Sequence, residues 1–372
     1  MIRYLCCMRK YVKKVLIIGN GFDLDLGRKT LYKDFYNSED CPREYPAPLI
    51  NYLNSKWASN LDAVKWYDLE NELYSYYDQI KKGKSFDLYN NREKLILDKI
   101  RNSGGRISEH DAPIVLNIDA VRSLYWRKIL RLENSYVSLL HEDILNPSIV
   151  RDRKALKLIK EGLIRYLTKE QEKPINEQSI AATIIKAFMD DKANDQRLIY
   201  SFNYTDMDAI FSHSNLPSRF NDAIKYVHGC CLKKNIILGT KDEKINNDYD
   251  FLQKSFDSLY NPPAMVYDLM DSDDITIFGH SLGANDSQYF KAFFEKQSSS
   301  INPQKKNITI FTKDEKSEIE IKRSLQEMTN WNLTSLYGLN DLEIIKTDKC
   351  NENPNEMERY MTRLASQMYH LS

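Results

Sequence analysis

The chain has 372 residues, 42% hydrophobic and 28% charged, with a mean hydropathy of -0.56. That composition excludes disordered, collagen-like and membrane-embedded classes, and the length suits two or three average domains or one large α/β domain with an insertion. Fifty-three Lys plus Arg balance fifty-three Asp plus Glu, so the overall charge gives no sign of a dedicated nucleic-acid or membrane surface.

Residues 1–14 read as an N-terminal extension. Its apolar stretch Leu5-Cys6-Cys7-Met8 is followed by Arg9, Lys10, Lys13 and Lys14, too short a run for a signal-peptide core, and Met8 is an alternative start. No window reaches the ~18 apolar residues of a spanning helix. Short β-branched runs bounded by Gly, Asn or His predict buried parallel strands at Val15–Ile18, Leu198–Phe202, Ile224–Val227, Ile236–Leu238, Ile275–Phe278 and Ile308–Phe311, with Leu342–Ile345 a weaker seventh. Between Asn37 and Asp195 the period becomes helical, as in Leu69, Leu73, Tyr76 and Ile80, and in Tyr125, Ile129, Leu132, Tyr136 and Leu139. The expected architecture is α/β: a Rossmann-like, mostly parallel sheet from residues 15–36 and 196–372, with a large helical insertion over residues 37–195. The cysteines Cys6, Cys7, Cys41, Cys230, Cys231 and Cys350 have no CxxC spacing. This points to reduced thiols in a cytoplasm, with no structural zinc and no secreted disulfide framework.

Four strand ends carry chemistry. Val15 to Ile18 runs into Gly19-Asn20-Gly21-Phe22-Asp23, where glycines let a phosphate approach backbone N–H groups, or simply permit a tight β-to-α turn. Ser201-Phe202-Asn203-Tyr204-Thr205-Asp206 puts an amide, a hydroxyl and a carboxylate at a strand's C-terminal end, or alternatively caps a helix. Tyr226-Val227-His228-Gly229 supplies the best-placed general base, and His280 has comparable placement. Phe278-Gly279-His280-Ser281-Leu282-Gly283 matches the nucleophile elbow of serine hydrolases, which would need Asp341 or Asp348 and His370 as partners. Equally, the segment through Asp286 reads as a second nucleotide-contacting loop, with Ser281 on a phosphate or ribose.

Taken together, Ile18-Gly19-Asn20-Gly21-Phe22-Asp23-Leu24, Phe202-Asn203-Tyr204-Thr205, Val227-His228-Gly229, Phe278-Gly279-His280-Ser281-Leu282-Gly283-x-x-Asp286 and Trp66-x-Asp68-Leu69-Glu70 resemble the AbiH family of phage abortive-infection proteins. The resemblance implies antiphage defence, set off by a phage trigger. The motif order also resembles the sirtuin-like NAD-binding fold. It implies NAD as substrate or ligand, with Gly19, Asn20 and Gly21 facing its pyrophosphate and Asn203 its nicotinamide ribose. His228 becomes the base, and Ser281 touches the other half of the nucleotide. Phe22, Asp23, Asp206, Gly279 and Asp286 complete the expected binding set. Asn20 and Asp23 depart from the Ala and Ser usual in that first loop, and the zinc-binding cysteines are absent. The implied activity is NAD hydrolysis without a metal, with a small nucleotide as partner; a homo-oligomer, a serine hydrolase and a non-catalytic nucleotide sensor stay open.

Overall fold

A computed structural model describes residues 12–59, 68–86, 148–189, 196–212, 214, 223–242, 245–301, 304–350 and 352–365. The helical periodicity expected from Tyr125 to Leu139, Trp66 and the turn at Asn102–Gly105 lie outside them. The chain divides into two compact units, one of residues 1–30, 167–237 and 259–372, the other of residues 31–166 and 238–258.

The first unit is built on a six-stranded sheet: β1 (Lys13–Ile18), β2 (Gln196–Ser201), β3 (Ile224–Tyr226), β4 (Asp274–Phe278), β5 (Asn307–Thr312) and β6 (Asp341–Lys346). Their order is β3-β2-β1-β4-β5-β6 and every pairing is parallel. The Rossmann-like parallel sheet is the one expected from the sequence, and its strand order is that of a doubly wound arrangement. Alternation along β1 explains its unbroken apolar run: Leu16 and Ile18 enter one core with Phe22, Ile184, Phe188 and Tyr360, while Val15 and Ile17 enter another with Ile275, Phe293 and Leu325. A strand buried on both faces has no polar side to show. The weak seventh candidate, Leu342–Ile345, is the edge strand β6, and its partly exposed pattern accounts for the weak signal.

Ile236–Leu238 is not a strand. Its side chains are buried, but its backbone serves the neighbouring loop: Ile237 N–H donates to His228 O at 2.8 Å, and Ile237 O accepts from Tyr204 Oη at 3.0 Å. A short apolar run signals burial, and burial does not distinguish a strand from a loop brace.

The second unit is helical over most of its described length. Leu69–Lys81 confirms the predicted period, with Asp68 capping its start by accepting from Glu70 N and Asn71 N. Tyr76 donates to Asp152 Oδ2 at 2.5 Å, and Leu49 N donates to Asp152 Oδ1 at 2.8 Å. The buried Lys254 pairs with Glu70 at 2.9 Å. No described helix is long and apolar enough to cross a membrane.

Candidate functional site

The sheet register sets the site. Ile18 lies beside both Ser201 and Phe278, and Ser201 beside Tyr226, so the loops after β1, β2, β3 and β4 all leave the same edge. The two halves of the sheet wind in opposite directions from the gap between β1 and β4, and ligands of doubly wound sheets bind outside the strand C-termini there.

Two of these loops are packed backbone to backbone. Gly19 N–H donates to Phe278 O and Gly21 N–H to Gly279 O, both at 2.9 Å. A Cβ on Gly21 would stand 2.6 Å from Gly279 Cα, and Gly279 itself has φ +63. These glycines join the two loops, so the Gly19 and Gly21 N–H groups, assigned from the sequence to a pyrophosphate, are engaged within the protein. Asn20 Oδ1 accepts from Thr30 Oγ1 at 2.5 Å, and Phe22 meets Phe278 edge-on at 5.6 Å.

Beneath them lies a buried polar network. Asp23 is fully buried; its carboxylate accepts from Asn203 Nδ2 at 2.9 Å and Thr205 Oγ1 at 2.7 Å. Burial pushes its pKa up to about 6, against the lowering effect of those two hydrogen bonds and of the Arg28 charge. Asn203 Nδ2 also reaches Gly19 O at 3.0 Å, which ties the β2 loop to the β1 loop. The Asn203 amide donors expected on a ribose are thus occupied in positioning. A helix does start here, the short Met207–Phe211, but its cap is Asp206, through Ala209 N, and not Asn203 or Thr205, whose side chains bond Asp23; Asp206 also accepts from Cys230 Sγ at 3.3 Å.

Two histidines are bridged by one carboxylate. His228 Nε2 stands 2.9 Å from Asp286 Oδ1, and His280 Nε2 stands 3.4 Å from Asp286 Oδ2. Leu282 N–H donates to His280 Nδ1 at 3.0 Å, so the His280 proton is assigned to Nε2, on the Asp286 side. Both imidazoles pack on Phe202, with centroids at 5.4 Å for His228 and 4.3 Å for His280. Gly229, at φ +77, completes the turn, where a Cβ would meet Asn235 O at 2.0 Å. The sequence placed His228 and Asp286 here and gave His280 an equivalent strand end, but the bridge through Asp286 joins residues 58 apart in the chain, a separation that carries no local signal.

Ser281 is exposed, and Gly283 N–H donates to its Oγ at 3.3 Å. The nucleophile-elbow reading requires strand, sharp turn and helix in succession. Here β4 ends at Phe278 and the next α-helix begins at Lys291, so Ser281 sits in a long loop. Asp341 pairs with Asn307 at the start of β6, the end of the sheet opposite Ser281, so it cannot be the acid of a triad. His370 lies outside the described residues. Among the described residues no group of three or more His, Cys, Asp or Glu side chains could hold a metal ion.

The fold is thus an α/β protein with a doubly wound parallel sheet, and a carboxylate-bridged histidine pair lies in the loops at its strand C-termini. The family model described as bacteriophage abortive infection AbiH matches residues 15–310. That stretch holds every motif above, and the chain belongs to the AbiH family, whose role is antiphage abortive infection. No curated protein and no solved structure matches it.

Proposed function

We propose that this AbiH protein acts by binding and hydrolysing a nucleotide at the β1–β4 switch point, with NAD as the substrate. The observation that carries the reading is Asp286 bridging His228 and His280 where the loops of four parallel strands meet. A buried imidazole held by a carboxylate is a general base with fixed orientation. In the reaction, water adds to C1′ of the nicotinamide ribose while the C1′–N bond breaks. Its electron pair returns to the nicotinamide ring, and His228 takes the water proton, giving ADP-ribose and nicotinamide. Asp286 stabilises the imidazolium that forms. Asn203 acts through the backbone it ties down rather than by touching the ribose.

The test is intracellular NAD before and after phage challenge in cells carrying the wild type, His228→Gln or Asp286→Asn. NAD loss in the wild type and not in either variant supports the proposal. Protection with level NAD sinks it, and fluorophosphonate labelling that disappears in Ser281→Ala would transfer the chemistry to the serine.

A further inference from the structure

Arg28 follows the loop of β1, separated from the Asn20–Asp25 helix by Leu26 and Gly27. It is 2% exposed, and its Nη1 donates to Glu170 O at 2.6 Å, which fixes the plane of the guanidinium. Its Nε and Nη2 are buried without a hydrogen-bond partner among the described residues. Those two atoms border one edge of the guanidinium, the side-on fork that grips two oxygens of a single oxyanion. Buried donors are almost always satisfied, and a charged one left open calls for an explanation.

The neighbouring acids do not provide one. Burial lowers the Arg28 pKa, and the charges of Asp23 and Glu170 oppose that lowering only in part; Asp23, moreover, accepts from Asn203 and Thr205. Glu170 accepts from Lys29 N at 2.9 Å and pairs with Lys173. Gly27 and Lys29, on either side, are exposed, so the backbone that carries Arg28 runs along the surface. Arg28 N–H donates to Asp23 O at 2.9 Å, linking it to the network that positions the β1 and β2 loops.

We infer that the Nε–Nη2 edge of Arg28 is an oxyanion site that takes a phosphoryl group of the nucleotide. This rests on the nucleotide reading above and assigns the phosphate contact to Arg28, since the Gly19 and Gly21 N–H groups are engaged elsewhere. The binding is side-on and bidentate, which lysine cannot reproduce although it keeps the charge.

The test measures binding of inorganic pyrophosphate and of ADP by calorimetry to wild type and Arg28→Lys, with acetate as a carboxylate control. Saturable pyrophosphate binding by the wild type, weakened roughly tenfold or more in Arg28→Lys, is the expected result. Tighter binding of ADP than of pyrophosphate assigns the site to a nucleotide, and equal binding to a free phosphoryl anion; both support the edge as the anchor. No binding, equal binding by the lysine variant, or acetate binding as tightly as pyrophosphate would overturn it. Should Arg28→Lys not fold, a wild-type crystal structure with pyrophosphate decides: its oxygens lie within hydrogen-bond distance of Nε and Nη2, or the inference fails. Pyrophosphate binding is read without turnover, so the site fails independently of NAD hydrolysis.

Discussion

Replacing Asp23 by asparagine should remove a defined segment of the protein's pH dependence. Asp23 is fully buried, and burial raises its pKa from the ordinary 3.8 to about 6. Between those values the folded chain holds a proton that the unfolded chain has released. Stability therefore falls as pH rises: the contribution is complete below the unfolded value and lost once pH passes about 6. At ~1.4 kcal/mol per pH unit, the interval corresponds to ~3 kcal/mol. Asp23→Asn keeps the shape and titrates nowhere in this range. One of its two polar atoms faces a donor, Asn203 Nδ2 or Thr205 Oγ1, so its absolute stability drops as well. The decisive quantity is the slope. Urea unfolding followed by far-UV circular dichroism from about pH 4 to about pH 7.5 spans most of that interval and should show the wild type losing ~2.5 kcal/mol more than the variant. Parallel profiles would refute the argument, because they would mean that Asp23 titrates alike in both states.

Further outcomes follow from the same contacts. If the proposed hydrolysis holds, Asp286→Asn should lower turnover by ~10²-fold or more by leaving the base His228 without its carboxylate, with little change in melting temperature because Asp286 is partly exposed; an unchanged rate would remove it from the site. Gly21→Ala, whose Cβ would lie 2.6 Å from Gly279 Cα, should destabilise by ~1–3 kcal/mol or abolish folding, as measured by urea midpoint and soluble yield. Lys254→Met removes the cation that pairs with the buried Glu70 and should cost up to ~3–5 kcal/mol, and Lys254→Met with Glu70→Leu should recover part of that loss. Asp268 is pushed up by burial, but hydrogen bonds from Lys13, Tyr200 and Lys225 outweigh this and hold it at about 2. Its contribution is present above the ordinary 3.8 and is lost as pH falls toward about 2, and Asp268→Asn should flatten acid unfolding there.

Strand positions were legible because a two-face-buried parallel strand is a short apolar run with sharp polar ends, as at Val15–Ile18 and Ile275–Phe278. The same rule misled at Ile236–Leu238, where the burial is that of a loop brace. The site was legible as a set of strand ends and not as a mechanism. Which glycine donors are engaged, and which partner Asn203 takes, depends on the 2.9 Å contacts between loops distant in the chain.

The sequence by itself determined the family, the α/β class, the strands at the two ends of the chain and the residue types at their C-termini, since these depend on local periodicity and on motifs within a few residues. Only the tertiary structure decided the strand order and the bridge from His228 through Asp286 to His280. It also decided that Ser281 lies in a loop and that one edge of Arg28 is buried with no hydrogen-bond partner among the described residues. Each of these is a relation between segments separated by tens to hundreds of residues, and the free energy that selects it comes from burial and hydrogen-bond satisfaction in the assembled core.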